Sequence, residues 1–213
     1  MESLSSAWML LSELRNYRRE TGNRNMSMAD RQRWDGKYSA KNFNAPESHP
    51  SEILQTYHDC AGGTNAWDLA CGAGRNTRYL LQMGYQVTAL DISPVALERC
   101  RCIADNAGDR LQLLELDVDT WMPPDAKADL VCVTRFFQPR LIELVHTLLK
   151  PGGIFIYESF NERYAQRRPD MSPRFLLPLG YLRNISDGME IIHLADGMPG
   201  QYYISRAVLR KPL

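Results

Sequence analysis

Glycines and carboxylates in residues 67–93 have the types and spacing of a ligand site. Gly72 and Gly74 lie between an apolar run and a helical pattern, and small residues at such a junction let the backbone pass against a ligand. Asp68 lies in the apolar run before the glycines, and Asp91 ends the next run. Their separation is close to the spacing of about 20 residues at which a carboxylate accepts the hydroxyls of a ribose. The segment predicts a pocket for a nucleotide or a carboxylate.

The third position of the glycine pattern limits which nucleotide fits. Thr77 stands where a dinucleotide fingerprint has its third glycine, so the loop does not favour a pyrophosphate. An adenosine ligand without a pyrophosphate agrees better with the pattern. Asp117 follows the third apolar run, where its carboxylate could accept from an adenine amino group while Leu116 and Val118 flank the ring.

These residues must be positioned by a parallel sheet. After residue 63 the chain alternates between short apolar runs, turns and helical stretches, which is typical of α/β folds. We expect strands at 65–70, 86–90, 111–116, 130–134 and 154–159, helices at 75–83, 94–106 and 139–149, and a tight turn at 150–153. Ligands of such sheets bind beyond the carboxyl ends of the strands, where helix N-termini offer free N–H groups.

The flanking segments predict a cap and a hairpin. From Asp30 a short helix with Trp34 and Tyr38 on one face is followed by a turn-rich stretch and a helix at 51–60. A helix at 176–186 precedes strands at 189–196 and 202–211, whose short connection requires an antiparallel pair. We therefore expect an α/β, Rossmann-like, seven-stranded, mostly parallel sheet with helices on both faces and a C-terminal antiparallel hairpin. Residues 28–213 would form this domain, and residues 1–27 an N-terminal extension.

The composition excludes several classes of protein. The 213 residues suffice for one domain, and 44% hydrophobic with 23% charged residues is typical of globular proteins. Basic and acidic residues number 25 each, which gives no global field for nucleic acid. No apolar run reaches the roughly 20 residues needed to cross a bilayer, and the N-terminus is unlike a secretory signal, so we expect a cytoplasmic location. The 5 cysteines lack paired CxxC spacing and predict packing residues rather than a metal site.

Four ordered motifs resemble those of a known family. DLACGAGRNT, ALDIS, LDVDTW and LLKPGG resemble the successive motifs of class I S-adenosylmethionine-dependent methyltransferases across residues 65–160. RWDGKY, together with DLACGAGRNTRYLLQMGYQVTALDIS, is similar to the small tellurite-resistance-type methyltransferases, and this similarity extends from Asp30 to Pro212. The resemblance implies S-adenosylmethionine as the cofactor and transfer of its methyl group to a small-molecule acceptor.

The resemblance also implies which parts of the cofactor the motifs contact. Asp68 and the glycines from Gly72 to Gly74 would line the methionine part, Asp91 would hold the ribose, and Asp117 would face the adenine. Asp68 and Asp117 also have simpler interpretations, as a helix-capping acid and a turn former. The full set of expected cofactor-binding residues is Trp34, Lys37, Asp68, Ala70, Gly72, Gly74, Asn76, Asp91, Ile92, Asp117, Val118 and Arg135.

The predicted cap helix and one loop residue extend the implied site. Trp34, Lys37 and Tyr38 would close over the cofactor, with Lys37 as a partner for its carboxylate. Alternatively, Lys37 is a solvated surface charge and the two aromatic side chains belong to the core. Ala70 stands where the family usually has glycine, a mild departure that would shift the loop slightly.

The sequence names no catalytic acid or base, and in-line methyl transfer gains much of its rate from orientation alone. We interpret His49, His58, His146 and His193 as structural. Strand ends are where this fold places reactive groups, and the side chains expected to face the acceptor are Arg135, Phe136, Glu158, Tyr164 and Arg168, with Asn161 and Arg167 nearby.

Arg135 favours an acidic acceptor, because a guanidinium binds planar anions at two points. The alternative is a salt bridge to Glu158 or to the cofactor carboxylate. Amino methyltransferases of bases carry Asn or Asp followed by Pro-Pro and an aromatic residue at the end of the fourth strand. The sequence here reads TRFF, which counts against a base as the acceptor.

Other functions stay open. An RNA or protein methyltransferase could use the basic runs Arg15–Arg24 and Arg163–Arg174. A regulatory protein could keep the cofactor pocket without turnover. A nicotinamide dehydrogenase is the weakest interpretation, for want of a third glycine and of a proton donor near a hydride site.

Overall fold

The computed structural model of the chain describes residues 28–40, 49–104, 107–118, 121, 127–186 and 188–213. The predicted N-terminal extension, with its basic run at 15–24, lies outside these residues. Within them, no helix is both long enough and apolar enough to span a membrane.

A 7-stranded sheet forms the centre of the molecule, in the order β3-β2-β1-β4-β5-β7-β6. The strands from β3 to β5 run parallel, and β7 and β6 continue the sheet antiparallel beyond β5. This confirms the predicted fold class, including the C-terminal hairpin. The strands are β1 Asn65–Leu69, β2 Gln86–Asp91, β3 Leu111–Glu115, β4 Ala128–Thr134, β5 Leu149–Phe160, β6 Glu190–Asp196 and β7 Ile204–Arg210.

Helices cover both faces of the sheet. Along β1, Trp67 and Leu69 point into a core that includes Leu141 and Leu182, whereas Ala66 belongs to a second core on the opposite face. Such alternation follows from the two-residue period of a strand. The helices are α1 Met28–Ser39, α2 Glu52–Tyr57, α3 Arg75–Gln82, α4 Pro94–Ile103, α5 Pro139–Leu148 and α6 Tyr181–Asn184.

The strand order places a crevice at the carboxyl ends of β1 and β4. β1 pairs with β2 on one side and with β4 on the other, so the chain crosses back over β1 after β3. In open α/β sheets this reversal of strand order leaves a gap between the flanking helices, where ligands bind.

Two predicted elements differ from the structure. The helix expected at 176–186 is wrong over residues 176–180, because Leu177 N donates to Phe160 O at 2.9 Å and Leu177 forms a bridge with Asn161 beside β5, after which residues 179–180 form a turn. Only α6 is helical. The turn expected at 150–153 is instead the beginning of β5, where Leu149 pairs with Ala128 before a register shift.

Candidate cofactor site

The loop from β1 to α3 turns sharply at three left-handed residues. Ala70, Gly72 and Gly74 have φ angles of 57°, 56° and 84°. A Cβ atom at Gly72 would lie 2.5 Å from the Tyr38 hydroxyl oxygen, and one at Gly74 would overlap the Cys100 sulfur. Both glycines are therefore required by close contacts as well as by backbone conformation. Ala70 adopts the conformation that its glycine counterpart in the family would adopt more readily.

Asp68 joins this loop to the first turn of α3. Its carboxylate is buried and accepts from the Thr77 hydroxyl at 2.6 Å. Burial raises the pKa of Asp68 to about 6, and the hydrogen bonds from Thr77 oppose that rise. Because the N-cap residue Gly74 has no side chain, Asp68 takes the capping role that the sequence offered as one interpretation. Its contact with the cofactor stays a prediction.

Asp91 fixes both the glycine loop and the start of α4. One carboxylate oxygen accepts from Gly72 N at 2.8 Å, and the other accepts from Ser93 N at 2.9 Å. Burial raises the pKa of Asp91, against hydrogen bonds from backbone N–H groups. Ser93 also caps α4, since its hydroxyl oxygen accepts from Ala96 N. The predicted ribose acid thus lies at the carboxyl end of β2, directly beside the glycine loop.

The first residues of α3 connect the loop to β4. Asn76 accepts from Ser51 N at 3.0 Å and donates to the Thr134 hydroxyl at 2.8 Å. Both polar ends of this predicted cofactor residue therefore hold neighbouring segments. Arg75 Nη2 also lies 3.4 Å from the Thr134 hydroxyl. Arg75 was not predicted from the sequence, although a cation in the first turn of a helix opposes the helix dipole and is a signal of function.

Helix α1 lies across the carboxyl ends of the first strands. The Ser93 hydroxyl donates to Asp35 at 2.5 Å, and Arg31 pairs with Glu115 at 2.6 Å. Tyr38 lies over Gly72, and burial, followed by the charge of Asp91, raises the pKa of its hydroxyl.

The predicted cap side chains form one group on α1. The Trp34 and Tyr38 rings lie 6.1 Å apart, and the Lys37 ammonium lies 4.6 Å from the centre of the Trp34 ring. Burial lowers the pKa of Lys37. Repulsion from Arg135 and Arg33 lowers it further, whereas Asp91 raises it. The structure thus brings the predicted cap and the glycine loop together at one end of the sheet.

The segment after β3 lies beside Asp91. Leu116 N donates to Asp91 O at 3.1 Å, and Trp121 N donates to Asp117 O at 2.9 Å. Val118 is buried in the core with Trp121. The part of this region that the structure describes therefore brings Asp117 near the predicted ribose acid, while Val118 packs into the protein. Ile92, directly after Asp91, is half-buried.

Arg135 lies at the end of β4 in a left-handed conformation, with φ 56°. Its N–H donates to Glu158 O at 2.6 Å, and its guanidinium carbon lies 5.3 Å from the centre of the Phe160 ring. Tyr164 stacks on the same ring at 4.1 Å. The structure thus brings two predicted acceptor residues, Arg135 and Tyr164, to one aromatic surface.

The other predicted acceptor residues have partners within the protein. The Glu158 carboxylate accepts from Arg206 Nε at 2.7 Å, a partner that the sequence analysis missed. Phe136 packs against the core. Arg168 is exposed and binds Asp170 through 2 hydrogen bonds of 2.8 and 2.9 Å.

The second basic run, which the sequence analysis considered for RNA, is largely paired within the chain. Arg163 donates to Asp196 O at 3.1 Å. Arg168 pairs with Asp170, and Arg174 pairs with Asp30. These contacts reduce the positive charge that the run could offer to a phosphate backbone.

Comparisons with known proteins agree with this geometry. Residues 66–153 match a family model described as a methyltransferase domain. An uncharacterized methyltransferase of Synechocystis sp. is 37% identical over 100 residues, which cover 44% of this chain and 45% of the relative. The chain spans less than half the length of the curated relatives it matches.

Two solved structures share the fold. The N-methyltransferase NodS from Bradyrhizobium japonicum, in complex with S-adenosylhomocysteine, superposes with a TM-score of 0.69 at 14% identity, covering 86% of this chain and 98% of NodS. TehB from Haemophilus influenzae superposes with a TM-score of 0.62 at 15% identity, covering 85% of this chain and 66% of TehB.

The strand order, the glycine loop and the matched segment agree with the resemblance of the chain to the class I, S-adenosylmethionine-dependent methyltransferases. The chain shares its fold with TehB, in agreement with the resemblance that its motifs carry.

Proposed function

We propose that the chain binds S-adenosylmethionine beyond the carboxyl ends of β1 and β2 and transfers its methyl group to a small-molecule acceptor. The arrangement of Asp91 carries this proposal. Its two oxygens accept from Gly72 N and Ser93 N, and a carboxylate, which offers about four acceptor sites, can also accept from a ribose beside the glycine loop.

Two cations of the site fit the carboxylate of the cofactor. Arg75 lies in the first turn of α3, where the free N–H groups of the helix also favour an anion. Lys37 lies on α1, near enough to Asp91 for the two charges to interact. The cofactor supplies a methyl group on a positively charged sulfur, which makes that methyl electrophilic. The chain itself orients the reactants and, through Trp34 and Tyr38, keeps water from the reacting atoms.

The ends of β4 and β5 form the acceptor side of the proposed site. The Arg135 guanidinium beside Phe160 and Tyr164 favours a small acceptor with an anionic group, because a guanidinium binds carboxylates at two points. No residue is assigned as an acid or base. In-line transfer depends first on holding the nucleophile and the methyl group at reacting distance.

A calorimetric titration with S-adenosylhomocysteine tests the cofactor assignment. Asp91→Asn is expected to raise the Kd roughly 10- to 100-fold, since charge-assisted hydrogen bonds contribute about 1.5–3 kcal/mol each. Asp129→Asn is the matched control: this acid lies near the start of β4, at the opposite end of the parallel strands, pairs with Lys150 and accepts from Asn65 N. Its Kd should equal that of the wild type. A wild type that binds neither the cofactor nor its product contradicts the proposal.

The acceptor class is tested by methyl transfer to a panel of small carboxylic acids, thiols and amines. Arg135→Gln should raise KM for acidic acceptors by at least tenfold and leave the Kd of S-adenosylhomocysteine within about threefold. Arg183→Gln, on the exposed side of α6, is the control. Equal KM values for Arg135→Gln and the wild type would argue against an anionic acceptor. Binding of cofactor without transfer to any acceptor would favour a regulatory protein.

A further inference from the structure

The N-terminal half of α1 is tied to a segment that follows the acceptor side of the sheet. Asp30, in the first turn of α1, is 5% exposed and accepts from Arg174 Nη2 at 2.5 Å. Arg33, one turn later, lies 3.4 Å from the same carboxylate oxygen. The contact joins residues 144 positions apart in the chain.

An aromatic ring adds to this contact. The Arg33 guanidinium lies 4.3 Å from the centre of the Phe175 ring, and the Arg174 guanidinium lies 4.5 Å from it. A guanidinium over an aromatic face is attracted by the ring electrons. Asp30, Arg33, Arg174 and Phe175, here called the latch, therefore form one packed group with a buried carboxylate at its centre.

The two sides of the latch lead to the two halves of the proposed site. On α1, the residues that follow Arg33 are the cap side chains Trp34, Lys37 and Tyr38. On the other side, the turn Pro173–Phe175 is followed by Leu177, which is hydrogen-bonded to Phe160 at the end of β5. Phe160 is the ring against which Arg135 lies. A short series of contacts and neighbouring residues thus connects the cap to the acceptor side.

We propose that Asp30 is a positioning residue whose ion pair with Arg174 sets α1 over the glycine loop and links retention of the cofactor to the order of the acceptor-side segment. The inference rests on the proposed function. A buried carboxylate without its partner is unfavourable, so α1 stays in place while Arg174 is held by its own segment. When that segment moves, the cap loses its anchor.

The dissociation rate of radiolabelled S-adenosylhomocysteine, measured by rapid filtration after dilution into unlabelled ligand, tests the latch. Arg174→Met, which removes the charge and keeps an apolar stem, should raise this rate at least tenfold, as should Asp30→Asn. The double variant should equal Asp30→Asn, because that single change already removes the pair with Arg174 as well as the contact with Arg33. Asp30→Glu should restore slow release at least in part.

Glu115→Gln is the matched control. It removes the ion pair between Arg31 on α1 and the end of β3, in which both side chains are more than one-third exposed. Exposed pairs contribute little, so the rate should change less than threefold. Melting temperatures of all variants identify any that do not fold, and Arg174→Met keeps the test valid if Asp30→Asn fails to fold.

The outcomes separate the latch from the proposed function. If the wild type binds the ligand and both latch variants release it at the wild-type rate, the latch is overturned and the cofactor site stands. If the wild type does not bind, both proposals fall. Faster release in Glu115→Gln, equal to that in Arg174→Met, would overturn the specific role of Asp30.

Discussion

At the scale of single residues, the most unusual group is the Asp68 carboxylate. It lies in the centre of the sheet, accepts from Thr77 and has a pKa raised by burial to about 6. An acid with such a pKa changes charge within the pH range in which enzymes are assayed. Its protonation therefore links the stability of the fold to the geometry of the glycine loop, since the same carboxylate anchors the start of α3.

Asp68 should make the protein less stable as pH rises from about 4 to about 6. In the unfolded chain the carboxyl group has its ordinary pKa of 3.8, and in the folded chain it keeps its proton to about pH 6. Over this interval the folded state binds more protons, so its advantage is complete below the unfolded pKa and is lost as pH passes the folded pKa. The shift corresponds to about 3 kcal/mol.

Urea unfolding at several pH values measures this effect as the difference between the wild type and Asp68→Asn. The free energy of unfolding of the wild type, relative to that of Asp68→Asn, should decrease as the pH rises from 4 to 7. Asp170→Asn provides a control that should be flat over this range, since Arg168 lowers the pKa of the Asp170 carboxyl and any contribution is lost only below about pH 4. A difference for Asp68→Asn that is constant across this range would show that Asp68 has an ordinary pKa in the folded protein.

At the scale of elements, the hairpin of β6 and β7 depends on one close backbone contact. Gly197 follows β6 with φ 88°, and its N–H donates to Ile204 O at 2.9 Å. A Cβ atom there would lie 2.9 Å from the carbonyl oxygen of Tyr202. β7 carries Arg206, the partner of Glu158, so the hairpin also supports the acceptor side.

Gly197→Ala should therefore destabilise the protein more than Gly200→Ala. Both glycines have positive φ, but a Cβ at Gly200 would meet nothing within 4 Å. The left-handed conformation alone costs an alanine about 1 kcal/mol, which is the loss expected for Gly200→Ala in urea unfolding. At Gly197 the backbone must also shift, so a loss of about 2 kcal/mol or more is expected. Equal losses would contradict the close contact.

Local patterns in the sequence predicted those elements whose structure depends mainly on residues near each other in the chain. The strands from β1 to β4 lie close to their expected bounds, because their apolar runs have the length and the flanking turns of buried strands. The segment 176–180 was mistaken for a helix because its leucines fit either element. Its non-helical structure depends on a hydrogen bond to Phe160, which no local pattern encodes.

The site shows the same division between local and distant contacts. That Asp91 and the glycine loop lie together was predicted because they belong to contiguous motifs. Arg174 and Arg206 were not recognised as partners of Asp30 and Glu158, because each pair joins distant parts of the chain. A single sequence does not reveal such pairs, since ion pairing depends on the fold that brings the side chains together.

At the scale of the whole molecule, the reactivity of the cysteine thiols measures which parts of the structure open. Cys102 is exposed and Cys60 is half-buried, whereas Cys71, Cys100 and Cys132 are buried free thiols in the glycine loop, α4 and β4. Burial raises the pKa of Cys132, and a hydrogen bond with Cys100, followed by burial, raises that of Cys71. Only a thiolate reacts readily, so these groups react when their surroundings open.

Labelling with a thiol-specific disulfide reagent under native conditions should therefore modify Cys102 first. The three buried thiols should react at rates set by opening of the structure, and all five should react quickly in denaturant. Cys102→Ser should remove the fast phase. If Cys71 reacted as fast as Cys102, the glycine loop would open far more often than its hydrogen bonds to Leu90 and Asp91 allow.

The distance along the chain between the two sides of the latch also matters while the protein is being made. Asp30 leaves the ribosome 144 residues before Arg174, which corresponds to roughly 7–30 seconds at about 5–20 residues per second. During that interval β1, β2 and the glycine loop can assemble, while Asp30 on α1 cannot yet form its ion pair with Arg174. On the proposed function, the contact that holds α1 over the glycine loop forms only after Arg174 has been made, so the cofactor has access to the loop before that contact exists.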